Sequence, residues 1–366
     1  MEHIYPAQSA GFGINLDPFP ETGQAASTGR SPHWAAGWQR AAIVAGFFAY
    51  IALLGGAALL ALRVLPDQFS ANLLHHAVAV HDIHRKLFSN ALLLLVILPS
   101  VLWLEVMLVG WKDSSCHALL FARTPTLRTD IACLLLDQSH MMGQIGRLMM
   151  LGLSIISGDW VRAWLTAHTG ITISAGFLPL ALQVVVYFYA YSFFDYWAHR
   201  IGHTKWFWPL HRYHHSAEEF SVVNAERIHP AGFAGIFLIN IPMAVLGASP
   251  EVVIYVNVLT VVLGYMIHSR IDSDFGWIGR YVIQSPLHHR LHHKLEMDTP
   301  AGHFGMAPVW DHLFGGWGGE AAKDLPIGVD TRYRHGFWVM SDLLRDYADF
   351  FKGLVGRRTL SPSEKR

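Results

Sequence analysis

The stretch Phe193 to His215, FFDYWAHRIGHTKWFWPLHRYHH, decides how the rest of the chain is read. It carries five histidines in two clusters, His199-x-x-x-His203 and His211-x-x-His214-His215, and a third cluster, His288-His289-x-x-His292-His293, follows far downstream. On a helix, residues three and four apart share one face. The spacing therefore predicts that His199 and His203 reach one metal from a helix continuing past Phe194. It also predicts that His211, His214 and His215 share a face, as do His289, His292 and His293. Neutral imidazole suits iron, zinc, copper and nickel. Eight imidazoles exceed the needs of one ion, so two metals are implied. A single H-x-x-x-H is commonly ordinary surface or core histidine. Three clusters at the ends of apolar segments are harder to explain by packing. Without metal, so many crowded imidazoles would be desolvated and would repel one another on protonation.

Composition puts this stretch in a membrane setting. Of 366 residues, 52% are hydrophobic and only 15% charged, where soluble domains carry about 25% charged residues. Formal net charge is zero, and no basic patch points to a nucleic-acid partner. Histidine is the outlier, 23 residues against 27 Lys plus Arg. The two cysteines, Cys116 and Cys133, make neither a disulfide framework nor a thiolate metal site and are expected to be reduced. Residues 1–40 show no basic stretch leading into an apolar one, so they are expected to be an irregular tail rather than a signal peptide.

Apolar runs divide the chain. Ala41 to Leu62 is long enough to cross about 30 Å of hydrocarbon as a helix. Leu87 to Trp111 is interrupted only by Glu105. A short arm, Leu148 to Ser157, precedes Gly170 to Phe194, with Pro179 expected to kink the latter from within. Ala231 to Ala248 and Val252 to Ile267 form a last pair around the turn signal Ser249-Pro250-Glu251. The basic stretch Lys112 to Arg147 belongs on the cytoplasmic side. If the N-terminal tail is cytoplasmic too, all three histidine clusters emerge on that face. The group His75, His76, His81 and His84, in a polar connection, falls on the other. The expected fold class is all-α: a polytopic membrane helical bundle with a cytoplasmic-face, histidine-rich di-metal cap. No internal repeat is present.

Further residues are candidates around the clusters. Asp195, four before His199, is placed to hold that ring's other nitrogen, or it is a helix-end carboxylate facing water. His268 ends the last apolar segment and is the candidate ninth ligand, with Asp272 as its support; the alternative is an interfacial histidine. Glu226-x-x-His229 matches the E-x-x-H of soluble di-iron bundles in one copy only, so the match is taken as chance. Glu105 is a functional candidate by position and equally a satisfied polar residue, and it is left out of the site.

Two passages carry a family resemblance. Asp195 to Pro230 reads DYWAHRIGHTKWFWPLHRYHHSAEEFSVVNAERIHP, and Ser285 to Trp317 reads SPLHHRLHHKLEMDTPAGHFGMAPVWDHLFGGW. In box order, spacing and the closing Trp310-Asp311-His312-Leu313-Phe314-Gly315, they resemble the fatty acid hydroxylase superfamily. These are membrane di-iron enzymes that include sterol desaturases and alkylglycerol monooxygenase. The resemblance is specific over about Gly170 to Trp317. It implies that His199, His203, His211, His214, His215, His289, His292 and His293 bind two iron ions, with His268 as the family's extra histidine and His288 less defined. Where many members have Asn-Tyr-Gly, this chain has His303-Phe304-Gly305, which adds a ligand or alters the substrate pocket.

The implied activity is hydroxylation or desaturation of a lipid C–H bond with O2 as co-substrate; the boxes do not decide between them. No Rossmann fingerprint, ferredoxin cysteine set or haem domain is present, so a separate electron donor, a ferredoxin or an NAD(P)H-dependent reductase, is expected. The domain reading is a tail (1–40), N-terminal membrane segments and loops (41–169), a catalytic domain (170–317) and a soluble tail (318–366) with an amphipathic helix from Val339 to Val355, for docking or capping. The competing reading is a membrane metal transporter or metal-binding protein without redox chemistry. That would need ionisable residues distributed through its spans, where only Glu105 is found.

Overall fold

The computed structural model describes residues 37–73, 76–80, 83–84, 92–122, 124–139, 141–142, 158–171, 173–231, 239, 241–295, 302–320 and 325–355. The expectations for residues 1–36, for Leu148 to Ser157 and for residues 232–238 and 240 of the run Ala231 to Ala248 lie outside them. Among the described residues the fold is helical, with one departure. The connection after the first apolar run is an antiparallel hairpin, β1 (Phe69–Leu73) paired with β2 (His76–Val80), Phe69 opposite Val80. It corrects an all-α reading locally. Alternation of small and branched residues in HAVAV suits a strand better than the polar composition suggested.

Helix α1 (Gly37–Val64) starts inside the expected tail and runs through the first apolar stretch. Its large side chains are bare, Phe48 at 66% and Leu53 at 75% exposure. It is the one described helix long and apolar enough to cross a membrane, over Val44–Val64. The second run gives a π-helical turn (Leu92–Ile97) and then α2 (Leu98–Val109), started by Pro99 in its first turn and stopped by Gly110 at φ 88°. Helix α3 (Pro125–Gln138) is capped by the Thr124 hydroxyl, which accepts from the Leu127 N–H. Helix α4 is Gly158–Thr169.

Helix α5 (Leu180–Gly202) carries the first histidine cluster. Pro179 is its N-cap and not an internal kink. Proline's lack of an N–H costs nothing there, and residues 173–179 are accordingly not helical. Short helix α6 (Trp208–His211) and a 3₁₀ turn (His214–Ser216) carry the second cluster. Another 3₁₀ turn spans Val222–Glu226, and α7 is Ile241–Val245. Helix α8 (Pro250–Ile267) starts as its sequence dictates: the Ser249 hydroxyl accepts from the Val252 N–H, Pro250 opens the first turn, and Glu251 faces the positive helix end. Helices α9 (Gly276–Tyr281), α10 (Pro286–His292), α11 (Val309–Phe314) and α12 (Val339–Leu354) complete the described chain.

Helix α8 is the hub and packs against α5, α2 and α10. Its joint with α2 buries Val101, Val222 and Tyr265 in one apolar cluster; its joint with α5 buries Tyr187, Val252 and Val256 in another. Glu105 is fully buried at the first joint. Its carboxylate accepts from the Ser115 N–H (2.6 Å), the Ser115 hydroxyl (2.8 Å) and the Arg270 N–H (2.6 Å). The satisfied-polar reading of Glu105 holds, and it clamps the segment after α8 to α2. Helix α12 packs on α6 and α3. Its Val339, Leu343 and Phe350 face inward while Leu344, Phe351 and Leu354 stay exposed.

Candidate metal centre

The three clusters converge, but not box by box. His199, His203, His211, His215 and His292 form one group, and His214, His268, His289 and His293 a second; within each, the ligand-capable ring atoms lie within 4.8 Å of one another. Sequence spacing predicted that each box would present one face. Instead, both later boxes split. Helix α6 ends at His211 and a tighter 3₁₀ turn follows, so His211 and His215 turn to the first group and His214 to the second. In α10, His292 faces the first group while His289 and His293 face the second. His203 is the C-cap of α5 rather than a residue within it, yet its ring centroid stays 5.3 Å from that of His199.

Backbone carbonyls fix several of these rings. The Nδ1 atoms of His199, His292 and His268 each lie 2.7 Å from a carbonyl oxygen, of Phe304, Gly302 and Gly264 respectively. The His214 ring is hydrogen-bonded to the Arg227 backbone. Each carbonyl must accept a proton, so Nδ1 carries it and Nε2 is left with its lone pair. In the second group the Nε2 atoms meet one another: His289 to His268 at 2.9 Å, His293 to His289 at 3.1 Å and His268 to His214 at 3.4 Å. In the first, His215 and His211 do so at 3.1 Å, and the Nε2 atoms of His199, His203 and His292 are buried with no hydrogen-bond partner. Burying unpartnered polar atoms costs about 1–3 kcal/mol each. Lone pairs pointed at a common centre, without donors, fit a cation.

Burial also keeps these rings neutral. It pushes His199 and His268 down to about 4, against the small upward pull of their carbonyl partners. It drives His203, His211, His214, His215, His289, His292 and His293 well below the ordinary value of 6.5, and the neighbouring imidazoles add to the shift. Neutral imidazole is the ligating form.

The secondary candidates fare differently. Asp195 does not hold His199, because the Phe304 carbonyl takes that position. Its carboxyl lines the cavity described below, raised to about 7 by burial and then by the charge of Asp311. Asp272 does not support His268; it pairs with Arg290 at 2.6 Å. His229 joins neither group. Its Nε2 lies 3.0 Å from the Leu343 carbonyl, and its Nδ1 accepts from the Ala231 N–H. His288 is engaged by the Ser285 hydroxyl (2.9 Å) and Glu320 (3.1 Å) and stacks on His303. His303 offers Nε2 to the Gly319 carbonyl and joins neither group. Its backbone is left-handed, φ 62°. Asn and His are among the few side chains that tolerate that region, so backbone conformation accounts for a histidine where an asparagine was expected. His84 also lies outside both groups, with its ring on the Leu65 carbonyl; His75 and His81 are outside the described residues.

A cavity of about 540 Å³ opens on the rings of His199, His211, His214, His268 and His289. Leu93, Leu210, Ile228, Val261, Ile267, Phe304 and Met306 make most of its wall apolar. Glu226 lines it too, its carboxyl accepting from the Tyr265 hydroxyl and raised to about 7 by burial. Sequence reasoning missed the carbonyls of Gly302, Phe304 and Gly264 and the backbone of Arg227, because a backbone partner has no residue signature. It also missed the buried pair Asp130–Arg227 behind His214.

The comparisons agree with this geometry. The family model described as fatty acid hydroxylase matches residues 184–316. Ornithine lipid hydroxylase OlsE of Rhizobium tropici is 29% identical over 163 residues, 43% of this chain and 49% of that protein. Alkylglycerol monooxygenase of Caenorhabditis elegans is 28% identical over 140 residues, 37% of this chain and 27% of that protein. The chain thus spans about half and about a quarter of these relatives' lengths. No solved structure matches. The boxes, their convergence and these matches together show that residues 184–316 are similar to the fatty acid hydroxylase family.

Proposed function

We propose that this protein is a membrane oxygenase that hydroxylates a C–H bond of a lipid, using O2 and electrons from a separate donor. The observation that carries the reading is the convergence of nine neutral, buried or half-buried imidazoles on two centres, five of them lining a largely apolar cavity. In it, His199, His203, His211, His215 and His292 hold one iron ion and His214, His268, His289 and His293 the other. Iron bound there would supply the activation of O2. The chain's own part is geometric: carbonyls orient the rings, burial keeps them deprotonated, and the apolar wall excludes water while seating an acyl or alkyl chain. Hydroxylation is favoured over desaturation because both relatives are named for adding oxygen, one to ornithine lipid and one to alkylglycerol.

The membrane setting rests on α1, on the apolar helices α2 and α8, and on the apolar runs of the sequence. The basic stretch Lys112 to Arg147 supports a multi-pass arrangement with the metal centre on the cytoplasmic face, and residues 170–317 as its catalytic unit. Glu105 is tied off by three hydrogen bonds, which removes the mid-span acid that a metal transport path would use. The test is lipid mass spectrometry of cells with and without the gene. One lipid class should gain one oxygen, and His292→Ala should abolish the gain. An unchanged lipid profile with the protein expressed and iron-loaded would rule the activity out.

A further inference from the structure

The segment Gly302 to Phe304 touches the metal centre twice. The Gly302 carbonyl takes the His292 Nδ1 proton and the Phe304 carbonyl takes that of His199, each at 2.7 Å. The two carbonyls flank a single residue, whose backbone conformation sets their relative directions. Here His303 between them adopts the left-handed conformation, and both carbonyls reach rings of the same histidine group. The strap is fixed from behind. The Phe304 N–H donates to Asp311 Oδ1 (2.8 Å) and the Gly305 N–H to Asp311 Oδ2 (3.0 Å). The His303 N–H donates to the Gly316 carbonyl (2.8 Å), and the Gln284 amide donates to the His303 carbonyl (2.5 Å). Asp311 is fully buried and lies at the start of α11. A Cβ on Gly316 would meet Asp311 Oδ1 at 2.6 Å, and one on Gly302 would meet the Gly318 nitrogen at 2.6 Å, so the strap and the turn after α11 are pressed together.

We infer that Asp311 is a positioning residue for one half of the metal centre: it locks the strap whose carbonyls orient His199 and His292. The inference rests on the two-metal reading above. It assigns a purpose to the Trp310-Asp311 motif and to the left-handed His303 together. It also makes the two halves unequal, since none of His214, His268, His289 and His293 takes a bond from the strap; His268 and His214 lean on Gly264 and Arg227 instead.

The test is a cobalt titration of the purified full-length protein, with circular dichroism as the fold control. Asp311→Asn keeps the shape but replaces one acceptor oxygen by a donor that faces an N–H. The wild type should bind two ions. In Asp311→Asn the affinity of one of them should fall about 10–100-fold, the usual consequence of losing a partner behind a ligand, while the other is unchanged. His303→Asn, which tolerates the left-handed backbone, should bind like the wild type. His303→Val, which does not, should behave like Asp311→Asn. Two unchanged ions in both Asp311→Asn and His303→Val, or equal weakening of both ions, overturns the role of the strap. If Asp311→Asn does not fold, the contrast between the two His303 variants decides alone. A wild-type chain that takes up no cobalt overturns the metal reading and the strap's role with it.

Discussion

At the residue scale, buried charge behind the histidines sets the stability of the centre. Arg227 and Asp130 are both fully buried and paired. Asp130 also accepts from Asn224 (2.6 Å) and Ser221 (3.2 Å), while Arg227 donates to the Thr126 carbonyl (2.7 Å) and the Ser216 hydroxyl (2.9 Å). Its own backbone then holds His214. Removing one partner of such a pair strands the other charge, at roughly 3–5 kcal/mol. Asp130→Ala should therefore lower the thermal midpoint strongly, and a midpoint within a degree or two of wild type would refute the network's role. Residue identity was legible here only in part. The nine histidines could be read from spacing and resemblance. Their division between two centres could not, because it depends on where α6 gives way to a 3₁₀ turn at His214. Asp130 and Arg227 lie 97 positions apart, and no local pattern links residues so far separated.

At the element scale, α12 was legible as an amphipathic helix and the structure gives its covered face. His229 ties it down by donating from Nε2 to the Leu343 carbonyl while Nδ1 accepts from Ala231. The bond from Ala231 needs the neutral ring, since a protonated Nδ1 cannot accept, and burial lowers His229 from 6.5 to about 4. A depressed histidine contributes stability that is present above the unfolded value of 6.5 and is lost as pH falls towards 4. The shift corresponds to about 3 kcal/mol at most. Thermal midpoints of wild type and His229→Gln should therefore converge as pH falls through that window; parallel profiles would contradict the assignment. The hairpin β1–β2 was not legible, since its polar surroundings masked a short alternation. Pro179 was misplaced for a physical reason: hydropathy sees an unbroken run, whereas the helix can begin only where proline needs no N–H partner.

At the scale of the whole molecule, α1 is the part whose environment the fold leaves to the outside, with apolar side chains bare along its length. Full-length protein should remain in the membrane pellet after alkaline carbonate washing, and release into the supernatant would refute a membrane-spanning α1. The remaining expected spans were legible as apolar stretches, but α2 and α8 offer only the shorter apolar segments Leu95–Val109 and Glu251–Ile267. Burial of Glu105 in α2 and capping of α8 by Ser249 shape these two segments. The central claim is that the convergence of imidazoles beneath an apolar cavity makes an oxygenase of this chain. The most direct measurement is isotope incorporation in cells expressing the protein under ¹⁸O2. The account predicts one ¹⁸O atom in the lipid that gains oxygen, none from labelled water, and none with His292→Ala. Oxygen drawn from water, or a modified lipid that persists in the His292→Ala cells, would contradict it.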